Sequence, residues 1–298
     1  MATVEAGARV VLKNVLYLTD ISEASEAALP FALAVAREYE SVVHALHVLM
    51  PVSMAYATPE SAAAMIEAEE ESAKTEMQQL ESQLAGLPHE ITVERGIGVW
   101  SSVEQAIKDH CIDLIVLGTR GRTGAQKLLL GSVAEEIFRR STVPVLTIGP
   151  QARKEVHKGA KFHRVLLAMN FTHESLAAVP YAISMAQENQ AHLILLHVMK
   201  EPGKAPKKNS AEESAKVVRK LHELVPPDAE LWCRPEPVVQ YGNPAEQILE
   251  TAKELAADLI VLGVRNVAGY LGAATHLEWT TAHKVVAHAR CPVLTVRG

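Results

Sequence analysis

Short apolar runs recur along the chain, and between them the apolar residues fall at helical spacing. Asn14-Val15-Leu16-Tyr17-Leu18-Thr19-Asp20, Val42 to Val48, Ile91 to Gly96, Leu114 to Leu117 and Pro144 to Ile148 read as five strands. Several are apolar at consecutive positions, as parallel strands covered on both faces must be. A first helix is predicted from an N-cap at Ser22 to about Glu38. A long one enters at Thr58-Pro59 and carries Met77, Leu80, Leu84 and Leu87 on one stripe, and others run from about Ser101 to His110 and from Ser132 to about Arg140. The alternation of strand and helix predicts an α/β fold with a doubly wound parallel sheet. Residues 1–12 read as a short leader.

The pattern then restarts. Asn170 stands 150 residues after Asp20, Pro180 the same distance after Pro30, and His197-Val198 the same distance after His47-Val48. Asp258 to Gly263 repeats Asp113 to Gly118 at an offset of 145, and Pro292 to Val296 repeats Pro144 to Ile148 at 148. Length changes fall between strands and not inside them, as expected of loops on a repeated core. The period is that of a domain duplication, so two tandem doubly wound domains of about five strands each are expected, over residues 1–150 and 163–298. The polar, lysine-containing stretch 151–162 is the linker. In the second half, Ser210-Ala211-Glu212-Glu213 predicts a capping box opening a helix to about Leu224, and Gly242-Asn243-Pro244 turns a strand into a helix.

Composition narrows the partners. A hydrophobic fraction of 48% with 21% charged residues is that of a globular chain, and a net charge of −6 argues against a nucleic-acid partner. No apolar run approaches the ~18 residues of a membrane span, and the N-terminus lacks a signal-peptide layout. Cys111, Cys233 and Cys291 are scattered and odd in number, which fits a reduced cytoplasm with the thiols as small core hydrophobes. The acidic cluster Glu67, Glu69, Glu70, Glu71 and Glu76 reads as a solvated helix face.

The candidate chemistry lies in Gly118-Thr119-Arg120-Gly121-Arg122-Thr123-Gly124-Ala125-Gln126-Lys127-Leu128-Leu129-Leu130-Gly131-Ser132. An apolar strand stops at glycine, passes through a small-residue loop and restarts at Gly-Ser before a helix, which is the form of an anion cradle at a helix N-terminus. Gly118 and Gly121 leave no Cβ between backbone and ligand, while Gly131-Ser132 offers amides and a hydroxyl. The same residues also serve as turn punctuation with Ser132 as an N-cap, and spacing alone does not choose. Asp20, at the carboxyl end of the first strand, sits where an open α/β sheet places ligand contacts.

The pattern G-x2-G-x9-G-[ST] after Asp113 to Gly118 resembles the nucleotide-binding signature of the universal stress protein family, in its ATP-binding branch. Both gaps match, and the resemblance spans nearly the whole chain. It implies Rossmann-like domains of the adenine nucleotide alpha hydrolase type in a cytoplasmic stress-response protein. It implies a site in which Asp20 contacts the nucleoside, Val48 lines the base pocket with Thr19 and Leu117 flanking it, and Gly118, Arg120, Gly121, Gly131, Ser132 and Val133 hold ribose and phosphates. The expected ligand is ATP, ADP or AMP, with Mg²⁺ accompanying the phosphates. A regulatory nucleotide-binding module is the first reading. A slow ATP-hydrolysing enzyme is the second, weakened because no G-x-x-x-x-G-K-[ST] loop and no acidic pair accompany the glycines. A nucleotide-independent interaction module is the third.

The second half loses these residues. Asn170 answers Asp20, Asn266 answers Gly121, and Trp279-Thr280 answers Gly131-Ser132 when counted back from the shared proline. An indole at the glycine position would block phosphate from the backbone, although Gly269-Tyr270-Leu271-Gly272 with Thr275 offers another pocket. No metal site is expected: His283 and His288 lack companions at ligand spacing, and the strand pattern accounts for His44. Trp100 and Trp232 read as core or domain-contact aromatics. Finally, the two terminal strands, each opened by proline, suit edges that cover one another. The linker of about a dozen residues, at up to ~3.3 Å each, is long enough to allow that pairing within one chain. Single-domain members of the family commonly dimerise through this strand, and a homodimer of the whole chain is an additional expectation.

Overall fold

A computed structural model describes residues 10–51, 58–119, 130–152, 161–201, 207–227, 229, 233–265 and 276–298, without the side chains of residues 59, 60, 62, 207–210 and 276–280. The first half runs β1 (Asn14–Thr19), α1 (Glu23–Glu26), α2 (Leu29–Tyr39), β2 (Val42–Leu49), α3 (Pro59–Leu84), β3 (His89–Arg95), α4 (Val99–Asp109), β4 (Leu114–Gly118), α5 (Ser132–Arg140) and β5 (Val145–Ile148). The second repeats it with β6 (Arg164–Ala168), α6 (His173–Ala177), α7 (Val179–Glu188), β7 (His192–Met199), α8 (Lys207–His222), β8 (Arg234–Tyr241), α9 (Pro244–Glu254), β9 (Leu259–Val264), α10 (His276–His288) and β10 (Val293–Arg297).

All ten strands form one sheet in the order β3-β2-β1-β4-β5-β10-β9-β6-β7-β8. Within each half every pairing is parallel, and the halves join through the antiparallel pair β5–β10, in which Leu146 faces Leu294. Each terminal strand thereby covers the edge the other would expose. The seam is nearly symmetric: Thr147 Oγ1 donates to the Val293 carbonyl at 3.1 Å and Thr295 Oγ1 to the Val145 carbonyl at 3.3 Å. Above it the Tyr39 and Ser184 hydroxyls meet at 2.9 Å, linking α2 to α7. The Arg297 guanidinium crosses the seam to the carbonyls of Phe138 and Ser141 at the C-terminus of α5, where a cation meets the negative end of the helix. Burial lowers its pKa to about 10, which leaves it charged at neutral pH. Two apolar layers cover the sheet, and both run across the seam: Tyr17, Leu146 and Leu294 share one, and Ile115, Val145 and Val293 the other.

Several local expectations change. The helix expected from Ser22 to Glu38 is two helices, because Pro30 near the start of α2 supplies no N–H and its ring excludes a continuous turn; Pro180 breaks α6 from α7 in the same way. Helix α8 begins at Lys207, so Ser210 lies inside it and is not its cap. Asn243 does cap α9, accepting from the amides of Ala245 and Glu246. Cys233 and Cys291 are buried, but Cys111 is exposed. Glu69 and Glu70 are more than a solvated face, since both pair with Arg95 (3.1 and 3.3 Å) and tie α3 to β3. Trp100 is a core aromatic with Arg140 stacked 5.0 Å from its ring, and Trp232 lies outside the described residues.

Candidate functional site

The chain leaves β1 toward β2 and returns to β4 on the other side, so a crevice opens at the carboxyl ends of adjacent strands β1 and β4. Three segments meet there: Thr19 to Ser25, Gly118-Thr119, and the start of α5. The Gly131 amide donates to the Thr119 carbonyl at 2.8 Å, which anchors the helix start beside the end of β4. Gly131 is the N-cap of α5 and supplies no side-chain acceptor, in contrast to Ser22, Thr58, Thr172 and Asn243 at other helices. The first-turn amides of α5, from Ser132 onward, therefore point out of the helix with no side-chain cap, an arrangement that favours an anion. Gly131 is half-buried at this point, and Ser132 and Val133 beside it are exposed.

The turn after β1 is built by short side-chain bonds. Asp20 Oδ1 accepts from the Ser22 amide at 3.2 Å and the Ser22 hydroxyl at 2.5 Å. Thr19 Oγ1 donates to Ser25 Oγ and accepts from the Ile21 amide, both at 3.0 Å. Ser22 and Ser25 form a reciprocal capping box on α1. These bonds hold Ile21 at φ 58°, a left-handed conformation that a β-branched residue adopts only under constraint. Beneath the turn the Tyr17 hydroxyl donates to the Ser25 carbonyl at 2.8 Å, and burial pushes its pKa well above the usual phenol range. The buried His47 ring, with Nδ1 2.9 Å from the Thr19 carbonyl, ties the end of β2 to the end of β1.

The predicted site residues thus separate. Asp20, Gly131, Ser132 and Val133 lie around the crevice mouth. The side chains of Thr19 and Leu117 are buried and already committed to internal bonding and packing, and Val48 is buried beneath Gly96. Gly118 is required for a reason the motif does not express: a Cβ there would stand 2.4 Å from the Ala24 carbonyl oxygen, so α1 packs directly on the end of β4. Arg120 and Gly121 lie outside the described residues, as do Asn266 and the alternative pocket residues Gly269, Tyr270, Leu271, Gly272 and Thr275. Ser22, beyond its role as a helix cap, together with Ser25 and His47 builds the site from outside the glycine motif. The first two were signalled by their spacing of three, and His47 by its recurrence as His197.

In the second half Asn170 Oδ1 accepts from the Thr172 amide (3.1 Å) and hydroxyl (2.8 Å), reproducing the Asp20 turn, and Phe171 takes Ile21's place at φ 61°. Met169 Sδ receives the Phe171 amide and Ser175 hydroxyl in place of Thr19 Oγ1. A Cβ on Gly263 would stand 2.1 Å from the Glu174 carbonyl oxygen, so this glycine has the same packing role as Gly118. Glu174 also pairs with Arg265 at 3.2 Å, and its own backbone hydrogen bond, then the nearby Thr172 and Arg265, hold its carboxyl below the usual range. Helix α10 starts at His276, four residues before the counterpart of Ser132, so Trp279 lies within the helix and not at its cap.

A family model described as "Universal stress protein family" matches residues 12–149 and again 161–297. A universal stress protein of Mycolicibacterium smegmatis is 27% identical over 299 residues, covering 95% of this chain and 97% of its own length. A single-domain-length relative from Bacillus subtilis is 30% identical over 153 residues, 46% of this chain and 99% of its own. Among solved structures, a universal stress protein of Archaeoglobus fulgidus superposes with a TM-score of 0.68 at 22% identity, covering 95% of this chain and 98% of that one, which is a likeness of fold. No helix among the described residues is long and apolar enough to cross a membrane.

Proposed function

Since the chain belongs to the universal stress protein family through both of its halves, we propose that it is a cytoplasmic stress-response regulator that holds one adenine nucleotide, ATP, ADP or AMP, in its N-terminal domain. The observation that carries this reading is the uncapped start of α5 beside Asp20 and the ends of β1 and β4, joined to the full G-x2-G-x9-G-[ST] pattern. Phosphates would take the amides of the first turn of α5, Ser132 Oγ and the loop between Gly118 and Gly131. Asp20, at the end of β1, would contact the nucleoside through its carboxylate. Residues 118–132 contain no carboxylate, so Mg²⁺ would be held chiefly by the nucleotide's own phosphates.

The same residue set binds charge without supplying a general base, so turnover is expected to be very slow or absent. The test is equilibrium binding of labelled ATP to the full chain and to Asp20→Asn, followed by a turnover assay. Asn170 makes the same turn, so Asp20→Asn should melt within about 0.5 kcal/mol of wild type while its nucleotide affinity falls about tenfold or more. Undiminished affinity would remove Asp20 from the site, and turnover near ~1–10 s⁻¹ would place this chain among ordinary enzymes.

A further inference from the structure

At the amino ends of β2 and β3, away from the nucleotide crevice, three potential ligands converge. His44 lies on β2, Glu90 directly beside it on β3, and His110 follows α4. Glu90 Oε2 stands 3.4 Å from His44 Nδ1 and 3.5 Å from His110 Nδ1, and the three ligand atoms all lie within 4.8 Å of one another. A tetrahedral Zn²⁺ with bonds of about 2.0–2.1 Å sets its ligand atoms about 3.3–3.4 Å apart, which is the spacing on either side of Glu90. Val48, at the crevice end of the same strand, is four residues and about 13 Å away.

The hydrogen bonding around His44 sharpens the geometry. Asn14 Nδ2 donates to the Cys111 carbonyl at 3.4 Å, which turns Asn14 Oδ1 toward His44 Nε2 at 3.3 Å. Nε2 is then the protonated nitrogen, and Nδ1 points its lone pair at a carboxylate oxygen that can only accept. Nδ1 is buried and, unprotonated, makes no hydrogen bond to the carboxylate 3.4 Å away. Two acceptors facing each other at this distance are stabilised by a cation between them, and a ligating imidazole held through its other nitrogen is the usual arrangement.

The second half supplies an internal control. Cys111 and Ala256 are equivalent left-handed residues, at φ 48° and 47°, which makes Leu255 the counterpart of His110. Ile194 is the counterpart of His44, and it faces Glu236 just as His44 faces Glu90. The second half carries aliphatic side chains at both positions, with His192 Nδ1 3.6 Å from Glu236, so the fold itself does not require histidines at 44 and 110. We propose that His44, Glu90 and His110 form a divalent transition-metal site, best suited to Zn²⁺, with its fourth position open to water on the exposed side of Glu90. Imidazole with a carboxylate favours Zn²⁺ over the harder Mg²⁺ and Ca²⁺. The ion would clip the end of α4 to β2 and β3.

The experiment is titration of the full-length, tag-free, chelator-stripped protein with Zn²⁺ against a chromogenic chelator, with Co²⁺ absorption as a readout of coordination. One tight equivalent is expected. Glu90→Gln and His110→Gln should each weaken it by more than about a hundredfold, beyond the 10–100-fold typical of second-shell changes, and Asn14→Ala by about tenfold. Zn²⁺ should raise the melting temperature of wild type and not of Glu90→Gln. Glu90 is 53% exposed, so that variant keeps the fold and remains a fair test if His110→Gln does not. The absence of a tight equivalent, or its persistence in Glu90→Gln, would show that the trio is a hydrogen-bonded cluster only.

Discussion

At the end of their first strands the two halves make one turn with different atoms. Asp20 and Asn170 each place Oδ1 on the amide and hydroxyl two residues on, and Ile21 and Phe171 take the same left-handed conformation. The halves differ at the other atom of the side chain, a carboxylate oxygen in one and an amide NH₂ in the other. They differ again at the helix start, where α5 begins after Gly131 while α10 reaches back to His276. In the second half Arg265, the counterpart of Arg120, is paired with Glu174, whereas the first half carries Ala24 at the glutamate's position. The comparison divides the signature into a part that builds the fold and a part that faces the crevice. Gly118 belongs to the first part, because Gly263 survives in the half whose loop is degenerate and meets the same helix backbone.

The largest expected effect tests what the halves share, their seam. Leu146 and Leu294 face each other and are buried, so Leu294→Asp should place an unpaired carboxylate there at a cost of several kcal/mol. Chemical unfolding should then separate into two transitions, with secondary structure largely kept; a single unshifted transition would mean the seam does not hold the halves together. Next come Gly118→Ala and Gly263→Ala, each forcing a Cβ against helix backbone and each expected to lose about 1–3 kcal/mol in thermal or denaturant unfolding. If Gly118 served the ligand alone, its alanine variant would retain stability. The smallest effect is that of Thr147→Val and Thr295→Val, about 0.5–1.5 kcal/mol each. Near equality of the two would confirm the symmetry of the seam, and a clear inequality would break it.

How much of this was legible in the sequence depended on how local its cause was. The strands, the duplication, the cap at Thr58, the proline-led entry to α9 after Asn243 and the start of α5 at Ser132 follow from periodicity and from residues adjacent in the chain. The pairing of terminal strands was also readable, because an apolar edge opened by proline demands a cover. The break at Pro30 was readable in principle, but the apolar stripe runs through it and suggested one helix. What stayed hidden were contacts made by distant residues. The requirement for glycine at 118 comes from Ala24, the His44 trio comes from three separate elements, and Arg297 acts on a helix of the other half.

The central claim is that the chain holds one nucleotide and that the N-terminal domain holds it. Calorimetric titration of the full chain with ATP, repeated on Gly131→Trp, tests this most directly, since the substitution imports the second half's residue at the cap of α5. The account predicts one site per chain in wild type, and none in a Gly131→Trp protein whose circular dichroism is unchanged. Two equivalent sites in wild type, or an undisturbed site in the folded Gly131→Trp protein, would contradict it.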